Sequence, residues 1–248
     1  MKEKKRERFY TPELPEDGKL WINGQEAHHM LRVKRLRLDE GLLLFDGRGR
    51  EAVGRVVEIQ PGKALIAIES VGQVSREAGI AITLAFSVPK GKRAEFLVQK
   101  CCELGVTRLI PLECERSVVK LVQKASPKVE KWKSVAVEAS KQCGRTYITS
   151  ISEAVNFPEL MRTADVYSPK FLASTGPDAS PLSDAVRDNK DRKDMLCVIG
   201  PEGGFSKKEM ETAIQAGCIP VSLGPGTLRT ETAALALVSM LLYAYNSV

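Results

Sequence analysis

Val198-Ile199-Gly200-Pro201-Glu202-Gly203-Gly204-Phe205-Ser206 is the stretch on which the fold turns. Met195 to Ile199 is an unbroken apolar run of strand length. It ends in glycines. Ser206 followed by Glu209 then forms a capping box, and Gly217 stops the helix that box begins. Buried strand, glycine turn and capped helix together make the unit of an α/β sheet, whose ligands sit at the carboxyl ends of the strands. Gly200, Gly203 and Gly204 let backbone amides approach a ligand closely. The stretch is neither the dinucleotide fingerprint nor the lysine-bearing phosphate loop, and Glu202 at its tip is unwelcoming to phosphate. A cofactor without phosphates fits better than a nucleotide; a plain strand-to-helix turn is the simpler alternative.

Downstream the layout repeats. Val221-Ser222-Leu223-Gly224-Pro225-Gly226-Thr227-Leu228-Arg229-Thr230-Glu231 runs from strand through glycines into a helix, with Thr230 as the expected N-cap and Glu231 near the positive end of the helix dipole. Arg229 complements neither dipole nor core, which points to a ligand role. The final helix, Glu231 to Tyr245, is strongly apolar, suited equally to a core or to a subunit interface. Upstream, Ile80, Ile82, Leu84, Phe86 and Val88 alternate as in a strand, and Ala94, Leu97, Cys101 and Leu104 recur at helical spacing. Strands are also expected at Val106–Leu112 and Lys170–Ala173, and Ser126-Pro127 starts a helix running to about Gln142. Strand alternating with helix predicts a mostly parallel sheet covered on both faces.

Residues before about 75 read differently. Leu42–Phe45, Glu51–Ile59 and Ala64–Ile68 are short strands separated by the turn signals Asp46-Gly47 and Pro61-Gly62, which suggests a small barrel. Val71 to Gly79 reads as a linker. The expected division is 1–74 and 75–248. No catalytic pair stands out in the first part, so it reads as a grip. Cations cluster at Arg32, Lys34, Arg35 and Arg37, at Lys90, Lys92 and Arg93, and at the extreme N-terminus, where Lys2, Lys4, Lys5, Arg6 and Arg8 face only Glu3 and Glu7. A net charge of +6 is a modest bias, but several clusters in one chain favour a nucleic-acid partner over solvated faces. Six cysteines without a C-x-x-C pair and two adjacent histidines argue for reduced thiols and against a metal site. No apolar run reaches the roughly 18 residues of a membrane span. MKEKKRERFY has charge but no apolar core, so it is no secretory signal, and the expected address is the cytoplasm.

Gly-Pro-Glu-Gly-Gly-Phe-Ser, followed by Leu-Gly-x-x-x-Leu-Arg-x-Glu-Thr-Ala, resembles the knotted SPOUT methyltransferases, and more narrowly the bacterial small-subunit rRNA uridine N3-methyltransferases known as RsmE. Arg8-Phe9-Tyr10, His28 to Arg37, Lys100 to Val106 and Glu138 to Arg145 extend the match over nearly the whole chain. The resemblance implies an α/β C-terminal SPOUT domain with a parallel sheet and a deep trefoil knot, behind a small PUA-like β-barrel that holds RNA. It implies a homodimer acting on N3 of a specific uridine in the 16S rRNA or small ribosomal subunit, with S-adenosylmethionine bent among three loops. Those loops would contribute Leu172, Ser174 and Thr175; Ile199, Gly200, Pro201, Glu202 and Gly203; and Leu223, Gly224 and Leu228. No metal is needed, because a sulfonium is already a good leaving group. One departure is visible: many relatives carry arginine where this chain has Gly226.

The reaction sets two tasks: aligning N3 with the methyl group and helping it lose a proton. Arg229 is the candidate to stabilise the developing anion. The proton acceptor is Glu231, Glu202 or a water, with helix capping as the competing role for Glu231. Gln142 and Arg145, expected just past a helix end, suit a base edge or a phosphate. His28 and His29 either touch RNA or lock the edge of the barrel. Competing functions are a ribose 2′-O-methyltransferase on the same scaffold, an RNA-binding assembly factor without catalysis, and a nucleotide-binding enzyme. The Leu-Arg-x-Glu-Thr-Ala run, the two glycine loops with Arg229, and the missing phosphate-binding lysine argue against these in turn.

Overall fold

The computed structural model describes residues 6–122 and 127–245; Lys2, Lys4, Lys5 and the helix start at Ser126 lie outside them. Two compact units result. The first runs to Glu77 and takes in Ser140–Ile148; the second holds Ala78–Ala139 and Thr149 onward. Ser140–Ile148 thus folds with residues from the other side of the expected 74/75 boundary.

The first unit contains β1 (Glu7–Tyr10), β2 (Lys19–Ile22), the short α1 (Gly24–His28) continued by a π-helical turn (His29–Val33), β3 (Gly41–Phe45), β4 (Arg50–Gln60) and β5 (Lys63–Gln73). These form a five-stranded sheet in the order β1-β3-β4-β5-β2, antiparallel except where β1 pairs with β3. Alternation along β3 and β4 sends Leu42, Leu44, Ala52 and Val56 inward, where they meet Phe9, Met30 and Ile66. Asp46 makes the turn after β3 by accepting from the amides of Arg48 (2.7 Å) and Arg50 (3.0 Å). β5 runs five residues beyond the expected strand, into the segment read as a linker. Its polar end, Gly72 and Gln73, pairs with Glu51 and Arg50 of β4, so main-chain pairing overrides a loop-like composition. β1 and β2, of four residues each, and the helical segment Gly24–Val33, split into two five-residue turns of different helical type, had no periodic signal.

Charge binds this unit internally. Arg8 donates to Glu51 (2.8 Å) and to the carbonyls of Ser140 (2.9 Å) and Arg145 (3.2 Å), while Arg76 reaches Glu51 (3.0 Å) and the Gly144 carbonyl (3.0 Å). Burial pushes the Glu51 carboxyl up, but hydrogen bonds from Arg76 and Arg8 outweigh it and hold it below its ordinary value. Lys141, almost fully buried, pairs with Glu26 at 2.8 Å, and its Nζ lies 3.0 Å from His29 Nδ1. Since an ammonium only donates, Nδ1 accepts there.

The second unit is an eight-stranded parallel sheet. Its elements are β6 (Ala81–Ser87), α2 (Lys92–Glu103), β7 (Arg108–Glu113), α3 (Pro127–Cys143, whose last turn belongs to the first unit), β8 (Ser150–Ile151), β9 (Val155–Asn156), α4 (Phe157–Thr163), β10 (Lys170–Ala173), β11 (Ser180–Pro181), α5 (Leu182–Arg187), β12 (Asp194–Ile199), α6 (Lys207–Gln215), β13 (Ile219–Ser222) and α7 (Thr230–Ala244). The strand order is β11-β13-β10-β12-β6-β7-β8, with β9 beside β7. β6 and β12 are buried along nearly their whole length, as strands covered on both faces must be. α7 packs on α2, β6 and β12. Of its apolar residues Ala233, Ala234, Leu237, Val238, Leu241 and Leu242 are buried within the unit and Leu235 is half-buried, so the core claims the stripe that suited an interface. Met240 and Tyr243 remain exposed.

Candidate active site

Because the sheet is parallel, every strand delivers its carboxyl end to the same side. β13, β10 and β12 are neighbours, so the chain after Ser222, after Ala173 and after Ile199 emerges side by side. The three expected cofactor loops are therefore brought together. Leu172 and Ile199 are buried at their strand ends, with Pro201 also buried; Ser174, Gly200 and Leu223 are half-buried; and Thr175, Glu202, Gly203, Gly224 and Leu228 are exposed. The loop after β10 is tied to β13 by the Ser174 amide, which donates to the Val221 carbonyl at 2.9 Å, and Ser174 Oγ accepts from the Gly176 amide at 3.1 Å.

The loop after β12 has the strongest local constraints. The Phe205 ring folds back to within 2.9 Å of where a Cβ on Gly200 would stand, so any side chain there would displace the ring. That ring also packs on Phe157, centroids 5.4 Å apart. The Ser206 capping box is complete: Ser206 Oγ accepts from the Glu209 amide and Glu209 accepts from the Ser206 amide. Two arginines reach the loop. Arg93, at the start of α2, donates to Glu202 at 2.6 Å and stands 3.8 Å from Glu231. Arg116, after β7, donates to the Gly203 carbonyl at 2.8 Å.

α7 begins one residue earlier than expected, at Thr230 instead of Glu231. Arg229 is the cap position and Thr230 the first helical residue. Thr230 is buried and donates its hydroxyl to the Gly200 carbonyl (3.3 Å), linking the two glycine loops instead of capping its own helix. Arg229 is exposed, and its guanidinium makes no ion pair among the described residues. Glu231 is only 8% exposed, and its Oε2 is buried without a hydrogen-bond partner. A buried carboxylate oxygen left unpaired costs stability, and a catalytic role is one of the few reasons such a group is kept.

The expected RNA contacts divide by exposure. Arg32, Lys34, Arg35 and Arg37 are exposed on and after the π-helical turn, with Lys34 paired to Glu7 at 2.8 Å and Arg35 in the left-handed region at φ 56°. Lys90 and Lys92 are exposed too, and Gln142 is exposed inside α3 rather than past its end. Arg8 and Arg145 differ: Arg145 is buried and ion-paired with Glu77, and Arg8 is held on Glu51 and over the Phe45 ring at 4.3 Å. Their charges serve the first unit's own packing. Arg93 sits between carboxylates. His28 is exposed, whereas His29 meets Phe9 edge-on at 5.9 Å and accepts from Lys141. Arg116 went unnoticed in the sequence, where a single arginine after a strand carries no pattern; its only signal was its place at the carboxyl end of β7.

Residues 76–242 match the family model described as an RNA methyltransferase domain, and residues 22–69 match the RNA methyltransferase PUA domain. These two matches, one over the parallel-sheet unit and one over the small β unit that precedes it in sequence, define the chain as a PUA-bearing RNA methyltransferase. The Aquifex aeolicus ribosomal RNA small subunit methyltransferase E is 35% identical over 238 residues, 94% of this chain and 98% of that one. The Neisseria gonorrhoeae ribosomal RNA small subunit methyltransferase E, solved bound to S-adenosyl methionine, superposes with a TM-score of 0.86 at 29% identity, covering 97% of this chain and 98% of that one. A Legionella pneumophila protein solved with bound SAM gives a TM-score of 0.89 at 33% identity, with the same coverage. The chain belongs to the ribosomal RNA small subunit methyltransferase E family.

Proposed function

We propose that this protein transfers the methyl group of S-adenosylmethionine to N3 of a specific uridine in the 16S rRNA of the small ribosomal subunit. The observation that carries the reading is Glu231: a buried carboxylate with one unpartnered oxygen, two residues from an exposed arginine and beside two glycine loops.

The residues present suit this cofactor. Around the Gly226 Cβ position nothing lies within 4 Å, and at Gly203 only the Arg116 stem comes near, at 3.6 Å, so the backbone of both loops is open to a ligand. Glu202 and Glu231 offer negative charge to a cationic cofactor and repel a polyphosphate. Ile199 to Gly203, Leu223, Gly224 and Leu228 would hold it, with Leu172, Ser174 and Thr175 from the loop after β10. When bound, S-adenosylmethionine supplies a methyl group activated by its sulfonium.

The chain's own residues do the rest. Glu231 takes the N3 proton on its unpartnered oxygen. Arg229 places its cation beside the charge that develops on the uracil ring, where a fixed cation stabilises a transition state most. Arg93 holds Glu202 and Glu231 in register. Arg32, Lys34, Arg35, Arg37, Lys90 and Lys92 track phosphates, and Gln142 reads a base edge; single-stranded or distorted RNA leaves such edges open. The family resemblance further supports a homodimer, for which the exposed Met240 and Tyr243 of α7 supply apolar area. It also supports a trefoil knot in the second unit, closure of the five-stranded sheet into a PUA-like barrel within an RNA-binding region of about residues 1–74, and action in the cytoplasm.

The test is product analysis. Small subunits lacking the modification are incubated with the protein and labelled S-adenosylmethionine, and the digested rRNA is resolved by nucleoside. N3-methyluridine is the expected product; a 2′-O-methylated nucleoside, or cofactor binding without transfer, overturns the reading.

A further inference from the structure

The turn Cys114–Ser117, following β7, has no part in the reading above, yet it is anchored on three sides. Ser117 Oγ accepts from the Cys114 amide at 2.8 Å and shares a hydrogen bond, also 2.8 Å, with the buried Ser87 hydroxyl at the end of β6. Glu209, itself buried, divides its carboxylate: Oε2 accepts from the Ser206 amide and Oε1 from the Glu115 amide, each at 2.8 Å. The group that caps α6 therefore also holds the turn in place. Between these anchors stands Arg116, whose Nη1 donates to the Gly203 carbonyl at 2.8 Å and reaches the Phe205 carbonyl at 3.4 Å.

Two peptide planes of the glycine loop are consequently fixed at both ends. In the Gly203–Gly204 plane the carbonyl meets Arg116 and the amide donates to the Pro201 carbonyl at 2.8 Å. In the Phe205–Ser206 plane the carbonyl faces Arg116 and the amide meets Glu209. A peptide is planar, so holding its oxygen sets its N–H direction as well.

We infer that Arg116 is a positioning residue for the cofactor, and that the turn Cys114–Ser117 is a fourth element of the binding site beside the three glycine-bearing loops. Arg116 acts through the backbone of residues 203–206, keeping the loop in its binding shape before the cofactor arrives. A planar guanidinium with several donors serves two carbonyls at once, which a lysine ammonium on a flexible stem does less well. The inference rests on the assignment of residues 199–203 to S-adenosylmethionine.

The test compares full-length wild type with Arg116→Ala and Arg116→Lys. Calorimetry gives Kd for S-adenosylmethionine, steady-state assays give KM for the cofactor and kcat at saturation, and hydrogen exchange of the cofactor-free protein reports the amides of Gly204 and Ser206. Arg116→Ala is expected to raise Kd and cofactor KM by roughly tenfold, the scale of one hydrogen bond from a charged donor. It should leave kcat at saturation within about threefold and the RNA KM unchanged, and speed exchange at both amides. Arg116→Lys should recover part of the affinity. An unchanged Kd overturns the inference, whether kcat falls (a role toward RNA or the reaction) or only the melting temperature does (a role in the fold). If wild type itself binds no S-adenosylmethionine, the underlying assignment fails, and this one with it; a wild type that binds beside an Arg116→Ala that binds equally well sinks this one alone.

Discussion

The two glycine loops look alike in sequence and differ in how they are held. The loop after β12 is anchored by Arg93 at Glu202, by Arg116 at Gly203, by Phe205 packed at a tilt against Phe157, and by a complete capping box. The loop after β13 has Ser222 Oγ bridging to Gly224 and, at its far end, the Thr230 hydroxyl on Gly200; between them Gly224 to Arg229 are all exposed. One loop is shaped in advance and the other is free to settle on its ligands. Preorganised groups bind at lower entropic cost, whereas a loosely held segment adjusts as a second substrate docks. The tight loop is thus the preorganised part of the proposed cofactor site, and the loose one, which also lends it Leu223, Gly224 and Leu228, leads into Arg229, the residue proposed to face the RNA base.

Arg229→Ala should break the comparison most visibly. It removes a cation from the loose loop without touching the tight one. Turnover should fall about 10²–10³-fold, the loss typical of one electrostatic stabiliser, with Kd for S-adenosylmethionine within about twofold by calorimetry. Normal turnover would remove Arg229 from the mechanism. Gly203→Val probes the other side. The folded chain has room for the new Cβ, 3.6 Å from the Arg116 stem, so the melting temperature should move by no more than about 2 °C, less than a 1 kcal/mol change brings in a chain of this size. Cofactor affinity should nevertheless drop at least tenfold, because the branched side chain fills the face the ligand needs. A large loss of thermal stability with affinity intact would mean that the glycine serves packing.

Glu209→Ala sharpens the account of why the tight loop is tight. It removes the Glu209 half of the capping box, leaving Ser206 Oγ on the residue 209 amide, and deprives the Ser206 and Glu115 amides of their acceptor. Lost caps cost roughly 1 kcal/mol, so a melting temperature lower by about 2–4 °C is expected in a thermal scan. A loss beyond that range would assign Glu209 to the core; no loss would mean the turn and α6 hold each other by other means.

How legible this was depended on period and locality. The capping box at Ser206 and Glu209 spans four residues, so sequence alone located the start of α6. Apolar runs marked β6 and β12 because a strand covered on both faces has no polar side. Arg8 and Arg145 were illegible in a different way. Sequence reports a charge but not its partner, and Glu51 and Glu77 lie 43 and 68 residues from the arginines they hold. Arg93 shows the same gap, its partner Glu202 being 109 residues away. Thr230 was placed as a cap because threonine caps helices, but the neighbouring loop offered its hydroxyl the Gly200 carbonyl instead. The glycine-loop partners at the site thus follow from strand order, which no local window contains.

The smallest expected effect lies at the tip of the loose loop and is the most informative about which way that loop faces. Gly224 sits at φ 132°, where a side chain is strained, so Gly224→Ala should cost about 1 kcal/mol or more. Gly226 has no such constraint, and nothing lies within 4 Å of its Cβ position. Gly226→Arg should therefore fold as wild type, its melting temperature within about 1 °C, as for surface changes that touch nothing. If the loose loop meets RNA, the added guanidinium gains a phosphate, and a plot of log affinity against log salt should steepen by about 0.7–0.9, the increment for one further neutralised phosphate. An unchanged slope with unchanged turnover would turn the tip of this loop away from the RNA. The division of labour between the loops would then rest on Arg229 alone, with the loose conformation serving cofactor entry rather than base recognition.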